Sequence, residues 1–277
     1  AQFFPLKEIG AVVTKSIMLK PRAGRPTPRM AETPSGMLNS IGLQGPGIEQ
    51  FIKDDIPWLV AQGARLVVSI AGETADEYGQ LAERLKQIHG ISAIEVNISC
   101  PNVENRGMVF ACDATSASAV ISRVHSILGN SIPVLAKLTP DVTDIASIAR
   151  SVIDAGADGI SMINTVLGMQ INTESMRPHL AGRTGGLSGP AIRPIAVRAI
   201  YQVRQALPEV SILGMGGVTS GKDAFELILA GASGVSIGTA SFGDPMAVYR
   251  IQNELRSILI EKGFANVKEA IGLAHRD

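Results

Sequence analysis

The sequence is poor in cysteine and in net charge, and each shortage excludes a class of protein. Two cysteines among 277 residues are too few for a disulfide framework, a four-cysteine zinc site or an iron–sulfur cluster. The 25 Lys and Arg residues balance the 25 Asp and Glu residues. A neutral chain without a basic stripe is not typical of a nucleic-acid-binding protein. We therefore expect neither a metal site nor a nucleic-acid partner.

Long hydrophobic runs are also missing. Every apolar run is shorter than the roughly 18 residues that a membrane-spanning helix needs, and the chain does not open on a signal-peptide pattern. We therefore expect a protein of the reducing cytoplasm that has no membrane partner.

Short apolar runs alternate with longer amphipathic ones. The short runs are continuously apolar, which is typical of parallel strands buried on both faces. The predicted strands are 10–16, 64–72, 93–99, 133–139, 159–165, 210–216 and 234–240. The predicted helices include 74–88, 144–156 and 191–207. Several helices end at a glycine that can form a left-handed cap, namely Gly156, Gly231 and Gly263.

This alternation predicts an α/β protein with a parallel sheet, and the length fits one (β/α)8 TIM barrel. We interpret residues 1–277 as a single barrel domain. Only seven strands are found, and the chain opens on "AQFFPLKEIG" without an initiator Met. We therefore expect strand 1 to lie upstream of Ala1, which makes the chain N-terminally incomplete. A doubly wound open sheet is the alternative.

Two glycine turns favour the barrel and predict a phosphate site. Gly216 and Gly217 end the seventh barrel strand, and a helix is predicted to begin near Ser220. Gly238 and Thr239 end the eighth strand. The loops after strands 7 and 8 of such barrels commonly bind phosphate through backbone N–H groups and a helix N-terminus. The alternative is that these glycines only make tight turns.

Polar residues stand at the carboxyl ends of the predicted strands, where barrel enzymes place their catalytic groups. Two of them are lysines that emerge from apolar runs, which is costly unless they meet an anion or lie exposed at the rim. The asparagines offer paired donors and acceptors for a ring with amides and carbonyls, although each could simply cap a turn. The set is Lys15, Ser69, Asn97, Cys100, Asn102, Lys137, Asn164 and Thr165, with Asn39 in the loop 36–47.

Cys100 follows a strand in the segment "EVNISCPNV". None of the four histidines falls at a strand end, so a Cys–His nucleophile is disfavoured. A thiol can instead act as a general acid or base. Cys112 is interpreted as a buried, inert thiol, the commonest state of a free cysteine.

These segments resemble the class I dihydroorotate dehydrogenases, most closely the NAD-linked class 1B catalytic subunit. The resemblance covers essentially the whole chain. It is carried by "GAVVTKSIMLKPRAGRPTPRMAETPSGMLNSIGLQGPG", "EVNISCPNV", "AKLTPDVTDI", "INTVLGM", "TGGLSGPAIRP", "GMGGVTSGKDAFE" and "SIGTASFGDP".

The resemblance implies an FMN-containing barrel that oxidises dihydroorotate to orotate in de novo pyrimidine (UMP) biosynthesis. Cys100 would take the C5 proton while hydride leaves C6 for flavin N5, and Lys137 would favour the anionic reduced flavin. The pKa of a free cysteine is about 8.5, so activity is expected to rise with pH.

The resemblance also implies two sets of contacts. The substrate set is Lys15, Asn39, Ser40, Ile41, Gly42, Leu43, Asn97, Asn102, Asn164 and Thr165. The FMN set is Lys15, Ser16, Ser69, Asn97, Lys137, Ile163, Gly189, Gly216, Gly217, Gly238 and Thr239. Ser69 departs from the family, which usually has asparagine there.

The implied electron acceptor is NAD, reached through a separate subunit that carries FAD and a 2Fe–2S cluster, in a homodimer or heterotetramer. The fumarate-linked type is an alternative, whereas the quinone-linked class typically has serine in place of Cys100. A dihydropyrimidine-dehydrogenase-like reduction of uracil or thymine is a second alternative. A phosphate-binding barrel without redox function is a third.

Overall fold

The computed structural model describes residues 1–99 and 110–276. The strands are β1 (Val12–Val13), β2 (Met30–Thr33), β3 (Gly36–Asn39), β4 (Leu66–Ile70), β5 (Ile91–Asn97), β6 (Val134–Lys137), β7 (Gly159–Met162), β8 (Val166–Met169), β9 (Ile171–Asn172), β10 (Arg177–Pro178), β11 (Thr184–Ser188), β12 (Ser211–Met215) and β13 (Gly234–Ser236). The α-helices are α1 (Ile48–Gln50), α2 (Ile56–Ala61), α3 (Ala75–Leu85), α4 (Ala114–Leu128), α5 (Ile145–Asp154), α6 (Arg193–Ala206), α7 (Gly221–Ala230), α8 (Ala240–Gly243) and α9 (Ala247–Glu261).

The chain groups into two compact units, which are described separately. The first comprises Ala1–Arg25, Ile41–Leu138 and Ser147–Gly159, and the second comprises Pro26–Ser40, Thr139–Ala146 and Ile160–Asp277.

The first unit holds four neighbouring parallel strands in the order β1-β4-β5-β6. Helices α3 and α4 connect β4 to β5 and β5 to β6, and every residue of β4 is buried. Each of these helices begins at a polar cap: the Thr74 side chain accepts from the Glu77 N–H, and Asp113 accepts from the Ser116 N–H. Such caps satisfy N–H groups that have no partner within the helix.

The second unit continues the β–α alternation. Its strands β12 and β13 are parallel, with Met215 paired to Ser236, and the Ile163 N–H after β7 donates to the Met215 carbonyl. Helices α6 and α7 precede β12 and β13, and α9 packs against the start of α7, where the Gly221 N–H donates to Glu254.

A four-stranded antiparallel sheet, in the order β2-β3-β11-β8, also belongs to the second unit. We did not predict this sheet from the sequence. Strand β8 exposes Leu167 and Met169. The Asp141 carboxylate, from the segment after β6, accepts the Leu167 N–H at 3.0 Å.

The predicted α/β class is confirmed, and the connectivity is that of a (β/α)8 barrel. Each of the seven predicted strands overlaps an observed parallel strand, although β5 begins at Ile91, before the predicted range 93–99, and the strands formed from 159–165 and 234–240 end at Met162 and Ser236. The three glycines predicted as caps have φ values of 104°, 125° and 78° at Gly156, Gly231 and Gly263. No helix within the described ranges has the length and apolar character to cross a membrane.

Candidate active site

Four polar side chains share one face of three neighbouring strands in the first unit. Ser69 pairs with Glu95 across β4 and β5, and Asn97 pairs with Lys137 across β5 and β6. Because side chains alternate along a strand, Glu95 and Asn97 point to the same face. Ser69, Glu95 and Asn97 are buried, and the Lys137 side chain is 18% exposed. The sheet thus brings three predicted site residues together and adds Glu95, which the sequence analysis did not single out.

A directed chain of hydrogen bonds links this face to Ser16, which follows β1. The Asn97 Nδ2 donates to Ser16 Oγ at 2.9 Å, and the Ser69 hydroxyl donates to Glu95 Oε1 at 3.0 Å. The two serine hydroxyl oxygens lie 2.9 Å apart. Because the single hydrogen of the Ser69 hydroxyl is committed to Glu95, Ser16 is the donor in that pair. The chain therefore runs from the Asn97 amide through two hydroxyls to the Glu95 carboxylate.

Other contacts hold Asn97 in place. Its main-chain carbonyl oxygen accepts a hydrogen bond from the buried Tyr78 hydroxyl at 2.7 Å. Its side-chain Oδ1 accepts from both the Ser99 N–H and the Ser99 hydroxyl. With both ends of the side-chain amide engaged, the orientation of Asn97 is fixed before any ligand binds.

Glu95 is a buried anion with one cationic neighbour in this cluster. Its side chain is 1% exposed, and Oε1 lies 3.5 Å from Lys137 Nζ. Oε2 is buried and has no hydrogen-bond partner among residues 1–99 and 110–276. Burying a carboxylate is costly unless another charge compensates it, so the nearby ammonium offsets part of that cost.

The two predicted site lysines differ in their surroundings. Lys15 is exposed, whereas Lys137 is largely buried beside Glu95.

The segment that carries Ile41, Gly42 and Leu43 is fixed by an arginine clamp. Arg22 Nε donates to the Gly42 carbonyl at 3.1 Å, while its Nη1 pairs with Glu73 at 2.9 Å. Leu43 has a φ of 54° and packs its buried side chain with the core. Its side chain therefore serves the core, and only its backbone remains for a ligand. Ser40 of the second unit is likewise fully buried.

In the second unit, two further predicted substrate residues, Asn39 and Thr165, lie beside Gly186, and Asn164 accepts a hydrogen bond from Thr165. Asn39 pairs with Gly186 across β3 and β11, and its Nδ2 donates to the Gly186 carbonyl at 3.4 Å. A Cβ on Gly186 would lie 2.0 Å from Thr165 Oγ1. The Thr165 N–H donates to Asn164 Oδ1 at 2.8 Å. The sheet thus brings Asn39 and Thr165 together at a position that requires glycine.

The predicted phosphate-site glycines also lie in the second unit. Gly216 and Gly217, with φ of 131° and 72°, directly follow β12, and Gly238 follows its parallel neighbour β13. A Cβ on Gly217 would lie 2.8 Å from the carbonyl oxygen of Gly189, whereas a Cβ on Gly238 would meet no heavy atom within 4 Å. Glycine at these turns leaves no Cβ that would block the approach of an anion to the backbone.

Helix α7 begins just after this turn with a capping box. The Ser220 hydroxyl accepts the Asp223 N–H, and Asp223 Oδ2 accepts the Thr219 and Ser220 N–H groups at 2.9 Å. Arg193 pairs with Asp223 at 2.6 Å and with Glu226 at 3.0 Å. Burial alone would raise the pKa of Asp223, but the hydrogen bonds from Thr219 and Ser220 and the charge of Arg193 lower it below its ordinary value.

We expect Asp223→Asn to lower the free energy of unfolding by about 1–3 kcal/mol at pH 7, because the Thr219 N–H and hydroxyl, the Ser220 N–H and the Arg193 guanidinium lose a charged acceptor. Since the folded-state pKa is lowered, the wild-type advantage is fully present above the unfolded pKa of about 3.9 and is lost as pH falls through the folded value. Urea titrations at pH 7 and pH 3.5 should show the difference shrinking. Ser220→Ala, which removes the cap alone, should cost about 1 kcal/mol at pH 7. An Asp223→Asn deficit of equal size at both pH values would contradict a role for the charge.

Comparison with known proteins places this sequence in a family. The sequence model described as dihydroorotate dehydrogenase matches residues 1–259. The chain belongs to the dihydroorotate dehydrogenase family. The resemblance found from the motifs is therefore confirmed.

Curated relatives of this family align along nearly the whole chain. A protein of Desulforamulus reducens named "Dihydroorotate dehydrogenase B (NAD(+)), catalytic subunit" is 48% identical over 273 residues, covering 99% of this chain and 89% of the relative. Proteins of the same name from Desulforudis audaxviator and Geobacter sulfurreducens are 48% and 47% identical over 276 and 272 residues. They cover 100% and 98% of this chain and 89% and 88% of their own lengths.

Members of the dihydroorotate dehydrogenase family are flavin-dependent, and the glycine turns of the second unit are the positions at which the resemblance expects the FMN phosphate. The paired ends of β12 and β13 place two glycine turns side by side, and the Cβ direction of Gly238 is open. Cys100 and Asn102, to which the family resemblance assigns the base and a substrate contact, lie outside the described residues.

The prediction for Cys112 was wrong: this cysteine is exposed. It ends the short 3-10 helix Phe110–Cys112, in which Ala111 takes the buried position, and Asp113 then caps α4. The position of Cys112 directly before the helix cap Asp113 decides its exposure more strongly than the apolar character of its thiol does.

Three residues that build the site were not singled out from the sequence, and each left a signal. Glu95 is a charge inside an apolar strand, two positions before Asn97. Arg22 lies in the motif "KPRAGRP", and Arg193 opens α6 after "SGPAI". Strand alternation would have placed Glu95 on the face of Asn97, but the partners of the two arginines depend on tertiary contacts.

Proposed function

We propose that the chain is the catalytic subunit of an NAD-linked dihydroorotate dehydrogenase, which oxidises dihydroorotate to orotate in de novo pyrimidine biosynthesis. The observation that carries this proposal is the 48% identity, over 99% of the chain, to a protein named as that subunit. The family match over residues 1–259 supports the same activity.

One FMN per chain is the proposed cofactor. When bound, FMN supplies the ring that accepts the hydride from C6 of dihydroorotate. In the second unit, the residues that would hold it are Ile163, Gly189, Gly216, Gly217, Gly238 and Thr239. In the first unit, they are Lys15, Ser16, Ser69, Asn97 and Lys137. The positive φ angles and the open Cβ direction of the glycines support the first set, and the shared strand face supports most of the second.

The residues of the chain itself would transfer one proton, the proton on C5 of dihydroorotate. Cys100 would remove the proton from C5 of dihydroorotate as a general base, a role that in enzymes contributes about 10²–10⁴-fold. The Asn97 side-chain amide, already held by Ser16 and Ser99, would orient the pyrimidine ring without reorganisation. Lys137 would provide positive charge where negative charge develops.

Asn39, Asn102, Asn164 and Thr165 complete the proposed amide-rich contacts to substrate, together with Lys15. The segment from Ser40 to Leu43 would contribute through its backbone, because the side chains of Ser40 and Leu43 are buried. The Arg22 clamp on the Gly42 carbonyl would keep that backbone in place.

A partner subunit is part of the proposal. The chain has two cysteines, whereas a 2Fe–2S cluster needs four ligands, so FAD and the cluster would reside on a separate electron-transfer subunit. The relatives are named catalytic subunits, which supports a partner of this kind. A homodimer of catalytic subunits, alone or within a heterotetramer, and a cytoplasmic location complete the proposal.

The decisive experiment purifies the full-length protein, records its visible spectrum and follows dihydroorotate oxidation with NAD, fumarate or a quinone as separate acceptors. We expect a yellow protein with about one FMN per chain, and NAD reduction only when the electron-transfer subunit is added. Turnover with fumarate alone would assign the fumarate-linked type instead.

The same preparation distinguishes dihydroorotate oxidation from two further activities. Reduction of uracil or thymine without dihydroorotate oxidation would assign a dihydropyrimidine-dehydrogenase-like activity. A colourless full-length protein that binds phosphate but no FMN would indicate a barrel without redox function.

A further inference from the structure

We propose that Glu95 is a positioning residue that holds the Lys137 ammonium and sets how much of its positive charge acts on a bound flavin. This inference rests on the proposed function, because it assigns Lys137 a role toward FMN. It adds a residue to which the family comparison gives no role.

The geometry of the Glu95 carboxylate supports this role. Glu95 Oε1 receives both the Ser69 hydroxyl at 3.0 Å and the Lys137 ammonium at 3.5 Å, whereas Oε2 is buried without a partner in the described chain. A carboxylate with one unsatisfied oxygen keeps much of its charge uncompensated. At 1% exposure, water screens that charge poorly, so its field acts strongly on its neighbour.

The hydrogen bonds of Glu95 also connect it to Asn97. The same Oε1 ends the hydrogen-bond chain that begins at the Asn97 amide and passes through Ser16 and Ser69. Glu95 therefore fixes two proposed ligand-contacting groups at once, namely the Lys137 ammonium directly and the Asn97 amide through two hydroxyls. A carboxylate needed only to neutralise a lysine would not have to end such a chain.

The charges predict effects of opposite sign on the flavin. Lys137 favours the more negative reduced form, and Glu95 opposes it. Removing the Glu95 charge should raise the two-electron reduction potential of bound FMN, and removing the Lys137 charge should lower it. A residue that only maintains the fold could weaken FMN binding but would not produce this pair of opposite shifts.

The experiment compares Glu95→Gln, Lys137→Met and the double variant with wild type as FMN-loaded proteins. Glutamine keeps the shape of Glu95 and its acceptor for the Ser69 hydroxyl, and removes only the charge. Potentials are measured by spectroscopic titration against a reference dye. We expect Glu95→Gln to favour the reduced form about tenfold, a rise of about 30 mV for a two-electron couple. Lys137→Met should shift the equilibrium the other way, and the double variant should lie between the two.

Glu49→Gln is the matched control, because it removes the same charge from an exposed glutamate that pairs with Arg84. Its potential should equal that of wild type. A Glu95→Gln potential no different from that of Glu49→Gln, or shifted in the same direction as Lys137→Met, would overturn the proposal. Failure of the wild-type protein to bind FMN or oxidise dihydroorotate would instead overturn the proposed function.

The pairing of Glu95 with Lys137 can also be tested without flavin, even if a variant does not bind FMN. Each single variant leaves one buried charge uncompensated, so each should lower the urea midpoint of the apoprotein, and the double variant should lose less than the sum. The double variant should fold even if a single variant does not. Additive losses, or a double variant less stable than both single ones, would show that the two charges do not act as a pair.

Discussion

Replacing Cys100 with alanine is expected to reduce dihydroorotate oxidation at pH 7 by about 10²–10⁴-fold, because the variant loses the group that removes the C5 proton. FMN content should be unchanged, since none of the proposed FMN-binding residues is altered. The measurement is the rate of flavin bleaching on mixing the loaded enzyme with dihydroorotate, followed anaerobically from pH 6 to 9. Wild-type bleaching should speed up with rising pH, whereas the alanine variant should stay slow throughout.

The second cysteine provides the control for this experiment. Cys112→Ala removes an exposed thiol that no proposed step uses, and its bleaching rate should match that of wild type. Near-normal bleaching by Cys100→Ala would remove that thiol from the base role. A Cys112→Ala deficit of similar size would show that thiol loss acts through the fold.

Gly217→Ala is expected to weaken FMN binding by about 10- to 100-fold, from a backbone strain of roughly 1–3 kcal/mol. Its φ of 72° disfavours a side chain, and the added Cβ would lie 2.8 Å from the Gly189 carbonyl oxygen. The turn must shift, and backbone N–H groups that bind an anion shift with it. FMN titration of the apoprotein, followed by fluorescence quenching, measures the loss.

Gly243→Ala is the matched control, because a Cβ there meets no heavy atom within 4 Å. It should bind FMN as wild type does. Circular dichroism of both variants shows whether the fold is retained. A folded Gly217→Ala protein with wild-type FMN affinity would rule out this turn as the phosphate site.

The parallel strands were predictable because burial on both faces leaves a direct trace in the sequence. Strand β4 lies within the apolar run 64–72 and is fully buried, as such a run requires. The starts of α3 and α7 were equally predictable, since Thr74 and Ser220 are strong N-caps.

The antiparallel sheet could not be predicted in the same way. Its strands β3 and β11 lie about 150 positions apart in the chain, and Asn39 opposes Gly186 through contacts that no local pattern encodes. The short, glycine-rich strand β11 does not alternate apolar and polar residues. From the sequence, its glycines were assigned only to a family motif. In the structure, position 186 must be glycine because a Cβ there would overlap the Thr165 side chain.

The candidate site was predictable as a set of strand-end residues but not as a network. The sequence suggested Ser69, Asn97 and Lys137 one at a time, and the register of β4, β5 and β6 makes them neighbours. Glu95 was treated as part of a strand, because a single charge in an apolar run gives no indication of its partner. The burial of Leu43 and the exposure of Lys15 likewise depend on the tertiary fold.

The hydrogen bond between Asp141 and Leu167 has a consequence for self-assembly. In the order β2-β3-β11-β8, strand β8 is an edge strand, and it exposes Leu167 and Met169. An edge strand with exposed apolar side chains can pair with a strand of another molecule. The Asp141 carboxylate already occupies the Leu167 N–H and sets a negative charge where an incoming carbonyl would have to dock. Asp141 therefore makes pairing with an incoming strand less favourable at Leu167, while the apolar side chains of β8 stay accessible.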